Sequence, residues 1–162
     1  MATTKYLRLD LAARQLETAV WLYLNGKDRF SVITLAGAAS GILTQLVLNA
    51  NKQPFVDFAR LLMNELSGST PPRKRFNRHI NVQFGIDVLK HHAATDPPTV
   101  ELDVEHSAER AVTKALVDYV ELRGQKERFV IAFFNWMWVS RDGPNIMEKY
   151  AAESDRIKRL RK

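Results

Sequence analysis

The chain has no cysteine among its 162 residues. That single absence excludes disulfide scaffolds, thiolate zinc sites, iron–sulfur clusters and cysteine nucleophiles, and it fits a reducing compartment. Glycine and proline are sparse, seven and six residues, so each acts as punctuation where it stands. No uninterrupted run approaches the roughly 18 to 20 apolar residues that a membrane span needs. Met1 to Lys5 leads into no apolar signal region. A cytoplasmic location with no membrane contact is expected. Also missing are a Walker loop, a dinucleotide-binding glycine fingerprint, a nucleophile elbow and a paired-histidine zinc motif, which removes the sequence support for most common enzyme classes.

A chain of this length can bury a core without disulfides or a structural metal, and residues 1–162 are expected to form one domain. The apolar periodicity is helical over most of the chain, and length and the absence of turn residues favour a helix where it is silent, so the fold class expected is an all-α bundle of six or seven helices. Asp10 is placed to cap a first helix over Leu11 to about Asn25, where Leu11, Ala12, Leu16, Ala19, Val20 and Tyr23 share one face and Gly26 stops it. Ser31 starts a second helix to about Asn51. Its segment Ala36-Gly37-Ala38-Ala39-Ser40-Gly41 has so little side chain that a neighbouring helix could approach closely. Pro54 suits the first position of a third helix, Phe55 to about Leu66. After the break at Ser67 to Pro72, a fourth helix is expected from Arg73 to about His92.

Thr95-Asp96-Pro97-Pro98 ends that helix, and Val100 to Asp103 alternates like a short strand or an extended lead-in. Asp103 or Ser107 caps a fifth helix that Gly124 closes. From Phe129 to Val139 every residue is apolar except Asn135, so this sixth segment has no polar face. A helix of that kind is expected at the centre of a bundle or under a second subunit. Asp142-Gly143-Pro144 precedes a last amphipathic helix from Asn145, which carries Ile146, Tyr150 and Ile157.

The formal net charge is +6, and lysines and arginines that neutralise phosphates gain affinity by releasing counterions. The excess is local. One cluster is Arg73, Lys74, Arg75 and Arg78 at a helix start; the other is Arg156, Lys158, Arg159, Arg161 and Lys162, a basic tail over about 156–162. The first cluster, with Phe76 interleaved and His79 following, is the candidate nucleic-acid-binding segment; a solvated helix end is the alternative.

On the fourth helix, His79, Gln83, Asp87 and His91 fall at i, i+4 spacing in the same sector as Phe76, Ile80 and Phe84. Polar and apolar groups compete for one face. Either the polar stripe is a satisfied core network that holds the bundle in register, or it opens to a ligand, with Asp87, Lys90 and His91 as the acid–base or phosphate-facing candidates. His79, Asp87 and His91 would spread metal ligands over three turns, so no metal is expected, and no cofactor either.

Several stretches resemble an uncharacterised family of small bacterial all-helical proteins: Leu35 to Leu43, Asn81 followed by Leu89-Lys90-His91, Ala108 to Ala111, and Tyr119 to Gly124. The resemblance runs from Leu11 to about Phe129. It implies a helical bundle in which the stretch from Asn81 to Lys90-His91 is a shared feature; Gly85-Ile86 stands where relatives often carry an Arg-Asn pair. A more distant similarity is to HEPN domains, helical bundles whose active members cleave RNA without metal, using an Arg and a His a few residues apart at a dimer interface. Arg73 and His79 have that spacing, although Lys74 stands where the motif prefers Asn, Asp or His. The function expected first is therefore a helical binding or interaction module, self-associating through the sixth or second helix, with RNA or another protein as partner. The alternative is a HEPN-like RNase or nucleic-acid-binding protein of toxin–antitoxin or phage-defence type.

Overall fold

The longest apolar helix lies between two others, and the rest of the molecule is arranged around that sandwich. The structure is a computed structural model that describes residues 3–152, side chains at 144, 146 and 150 excepted. Among the described residues it contains seven helices and no strand. They are α1 (Arg8–Leu24), α2 (Arg29–Asn49), α3 (Phe55–Ser67), α4 (Arg73–Gln83), α5 (Val104–Arg123), α6 (Arg128–Ser140) and α7 (Gly143–Ala152). The α2 helix packs along α5 on one side and α1 on the other, α6 closes against α1, and α3 pairs with α4 beside α5.

Local chemistry sets the helix ends. Asp28, not Ser31, caps α2: its carboxylate accepts the Ser31 N–H at 2.9 Å and the Ser31 hydroxyl at 2.5 Å. Asp103 caps α5 by accepting the His106 N–H at 3.1 Å, and Gly124 closes that helix at φ 76°. Asp10 does not cap α1. The helix begins one turn nearly earlier, after Leu7, and leaves Asp10 in its first turn, where a carboxylate favours the positive helix end. Val100 to Asp103 is an extended lead-in rather than a strand, and α7 begins at Gly143, ahead of Asn145. The basic run from Arg156 to Lys162 lies outside the described residues.

Three expectations are corrected. First, α2 is long and apolar enough to cross a membrane by length and composition. Its buried residues Val32, Ile33, Ala36, Ala39 and Leu43 instead join the core with Ala12, Leu16 and Ala19 of α1 and Ala108, Ala111 and Ala115 of α5. Second, α6 is not central to the bundle of this chain. Only Val130 and Phe133 are buried on it, with Tyr23 against Phe133 and Trp136, while Ile131, Trp138 and Val139 are exposed. Third, α4 stops at Gln83 instead of running to His92. Gly85 at φ 70° adopts the left-handed conformation that ends helices, the Gly85 N–H donates to the Val82 carbonyl at 3.0 Å, and the Ile86 N–H donates to the Asn81 carbonyl at 2.8 Å. These are the paired closing bonds of a Schellman cap, and a run of turns follows.

The cap drives Ile86 into the core, where it is 2% exposed. What receives it is the small-residue segment of α2: a Cβ added at Gly37 would meet Ile86 Cγ2 at 2.7 Å, whereas at Gly41 it would meet nothing within 4 Å. The close approach expected of a helix is thus made by the turn after α4. Gly37→Ala is expected to lower stability by about 1 to 3 kcal/mol, since a stiff β-branched neighbour cannot give way. Gly41→Ala should raise it by up to about 1 kcal/mol through helix propensity alone. Denaturant unfolding of the two variants checks the pair, and equal effects would contradict this placement of Ile86.

Candidate anion-binding site

On α5 a lysine and an aspartate one turn apart sit within the apolar series Ala108, Ala111, Ala115 and Tyr119. Lys114 is 3% exposed and Asp118 0%. Each is held differently. Asp118 accepts the Thr44 hydroxyl of α2 at 2.5 Å and the Phe55 N–H at 2.7 Å. Phe55 opens α3, whose preceding Pro54 offers no side-chain cap, so the Asp118 carboxylate supplies from another helix the negative charge and acceptor that a helix start wants. Burial still pushes the Asp118 pKa up, against the lowering effect of those two hydrogen bonds and of Lys114.

Lys114 has less support. Its Nζ donates to Ser40 Oγ of α2 at 2.8 Å, and no ion pair joins it to a carboxylate among the described residues. An ammonium has three donors, so most of its hydrogen-bonding capacity is unused. Burial pushes its pKa down to about 8; Lys90 adds to the shift, and Asp118 and Asp87 oppose it.

Lys114 lines a cleft of about 430 Å³ between α2, α4 and α5. From α4 come Arg73 and Lys74 in the first turn, then Asn77 and Asn81 at successive i, i+4 steps. Lys90 reaches it from the turns that follow the Gly85 cap, and Gly41, Thr44 and Gln45 of α2 form the opposite wall. Four cations line the cleft and no acidic side chain does. Arg73 is partly balanced, its Nε 2.9 Å from Asp57. The side-chain amide oxygens (Oδ1) of Asn77 and Asn81 are buried with no hydrogen-bond partner among the described residues. The first turn of α4 is also basic throughout, Arg73-Lys74-Arg75 with no acidic residue. Cations there oppose the helix dipole, an arrangement that an anion at the same end would relieve.

The residues expected from sequence are divided among three places. Arg73, Lys74 and Lys90 line the cleft. Asp87, His91 and Arg78 line a separate hollow of about 530 Å³ with His92 and Asp96. There Asp87 and His91 are joined through the backbone, His91 N–H to Asp87 carbonyl at 3.1 Å, and no bond links carboxylate and imidazole among the described residues. With His91 exposed they are not a buried core pair either, because the helix that would have stacked them ends at Gln83. Arg75 and His79 line a third surface with Met63, Ser69 to Pro72, and Phe76. Arg73 and His79 thus open on different hollows. Among the described residues no group of three or more His, Asp or Glu is placed to hold a metal.

Ser40, Thr44, Asn77, Lys114 and Asp118 were not singled out from sequence. The signal for the last two was legible: a Lys and an Asp four apart inside an apolar helical stripe need partners or a ligand. If Lys114 serves a ligand, its burial detracts from stability, by roughly 3 kcal/mol for an ammonium whose pKa falls from 10.5 to about 8. Lys114→Met is then expected to hold or raise stability by about 1 to 3 kcal/mol near pH 7, in buffer free of phosphate and sulfate. Asp118→Ala should lower it by about 2 to 4 kcal/mol, because it strands the Phe55 N–H and the Thr44 hydroxyl. The pH dependence has a definite sign. Between about 8 and 10.5 the unfolded chain holds the Lys114 proton and the folded chain does not, so wild-type stability should rise across that window relative to Lys114→Met. A Lys114→Met variant that melts far below wild type would make the lysine structural. No family model, curated protein or solved structure matches this chain.

Proposed function

We propose that the protein is a binding module that takes up an oxyanion in the cleft between α2, α4 and α5. The observation that carries this reading is Lys114, an ammonium 3% exposed at the floor of a cleft whose other charges are all positive. A buried charge needs a counter-charge or hydrogen-bond partners, and one serine hydroxyl meets part of that need. Arg73, Lys74 and Lys90 raise the potential further, and the low-dielectric walls strengthen it. The cleft volume falls within the range of small-ligand sites.

Thermal unfolding with inorganic phosphate tests the proposal. The melting temperature should climb with concentration, since a ligand at 100 times its Kd stabilises by about 2.7 kcal/mol. Lys114→Met and the Arg73→Gln/Lys90→Gln pair should lose most of the response, and added chloride should weaken it. No response in the wild type would overturn the reading. RNA binding that Arg75→Gln/Arg78→Gln abolishes and Lys114→Met leaves intact would replace it with a surface nucleic-acid reading.

Self-association through α6 is part of the same proposal, supported by the exposure of Ile131, Trp138 and Val139 on a helix with almost no polar residue. Sedimentation at tens of micromolar is expected to show a dimer that Val139→Lys dissociates. A monomer across that range contradicts it.

A further inference from the structure

We infer that the cleft reads a terminal phosphate, a phosphomonoester entering end-on with Lys114 at its floor; this rests on the anion-binding reading above and names its ligand class. Lys114 Nζ lies between α2 and α5 at the bottom of the cleft, 3% exposed and hydrogen-bonded only to Ser40 Oγ at 2.8 Å. Lys74 and Lys90 are exposed residues of its lining. A group that touches both levels must enter with its charged end first. A phosphate inside a nucleic-acid strand carries substituents on both sides and one negative charge. A terminal phosphate carries one substituent, three free oxygens and close to two charges near neutral pH, so it can meet the floor and the rim together.

The charges match that count. Arg73 is paired with Asp57, and Lys114 feels the fields of Asp118 and Asp87. Lys74 and Lys90 have no ion pair among the described residues. Two unpaired rim cations above a partly compensated ammonium suit a dianion better than a monoanion. About 430 Å³ holds a phosphate and a small organic group and is too confined for a duplex.

Two sources share this chemistry, a small phosphorylated metabolite and the 5′ end of a nucleic acid, and one calorimetric series separates them. The full chain is titrated with adenosine, adenosine 5′-monophosphate, inorganic phosphate, and a short RNA with either a 5′-phosphate or a 5′-hydroxyl. The monophosphate should bind and adenosine should not. A 5′-phosphate that improves RNA binding by about tenfold assigns the nucleic-acid end; monophosphate binding with no gain on the RNA assigns the small molecule. In either case Lys114→Met removes the preference for the phosphorylated member while remaining folded. Should Lys114→Met not fold, Lys90→Gln on the rim is expected to weaken the same preference. If inorganic phosphate binds but neither monophosphate nor 5′-phosphate gains over its unphosphorylated counterpart, the terminal-phosphate inference fails and the anion-binding reading stands. If no anion binds, both fail.

Discussion

The Asp118 carboxylate ties α3 to the closely packed pair of α2 and α5, with which α3 otherwise shares little contact. From its place on α5 it accepts the Thr44 hydroxyl of α2 and the first N–H of α3. The α3 and α4 helices pair with each other, and α3 meets the central bundle through α5. The direction in which α4 leaves that junction decides where its Arg73, Lys74, Asn77 and Asn81 face. A hydrogen bond to a buried carboxylate is strong because the alternative is an unsatisfied charge. Without it the start of α3 has no side-chain acceptor, and the wall of the cleft is no longer fixed against α2 and α5.

One turn earlier on the same helix, Lys114 shows the opposite balance. Asp118 is satisfied by neighbours on both sides; Lys114 has one neutral partner and no ion pair. The two charges on one apolar face therefore have distinct roles, one structural and one open to a ligand. The small residues of α2 make both possible. Gly37 admits Ile86, which pulls the turn after α4 against the bundle, and Lys90 in that turn lines the cleft. The glycine cap at Gly85 matters for the same reason: a continuous helix to His92 would carry Lys90 elsewhere.

Much of the architecture was legible from periodicity. The α1 stripe, the start of α3 after Pro54, the Asp103 cap and the Gly124 stop follow from residue type and spacing. The errors have physical causes. Gly85 can stand inside a helix or end one, and the choice is made by Ile86 finding a seat on Gly37, a contact between segments far apart in sequence. Asp10 has the right chemistry for a cap, yet a first-turn position serves an aspartate equally well. The apolar run of α6 reads as central, but α6 packs against α1 on one side and leaves Ile131 and Val139 exposed on the other. For the site, the basic start of α4 was legible as charge; its direction was not. Lys114 and Asp118 carry the same signal as the polar stripe of α4, since both interrupt a buried apolar series on α5.

The protonation of Lys114 is the most direct gauge of the central claim, because it reports burial and anion binding at the same atom. Its pKa can be followed by NMR of the side-chain ε group, with and without inorganic phosphate. The account predicts a value near 8 in the free protein and a clear upward shift when phosphate is added, since a bound anion favours the ammonium. A value near the ordinary 10.5 that phosphate leaves unchanged would contradict it.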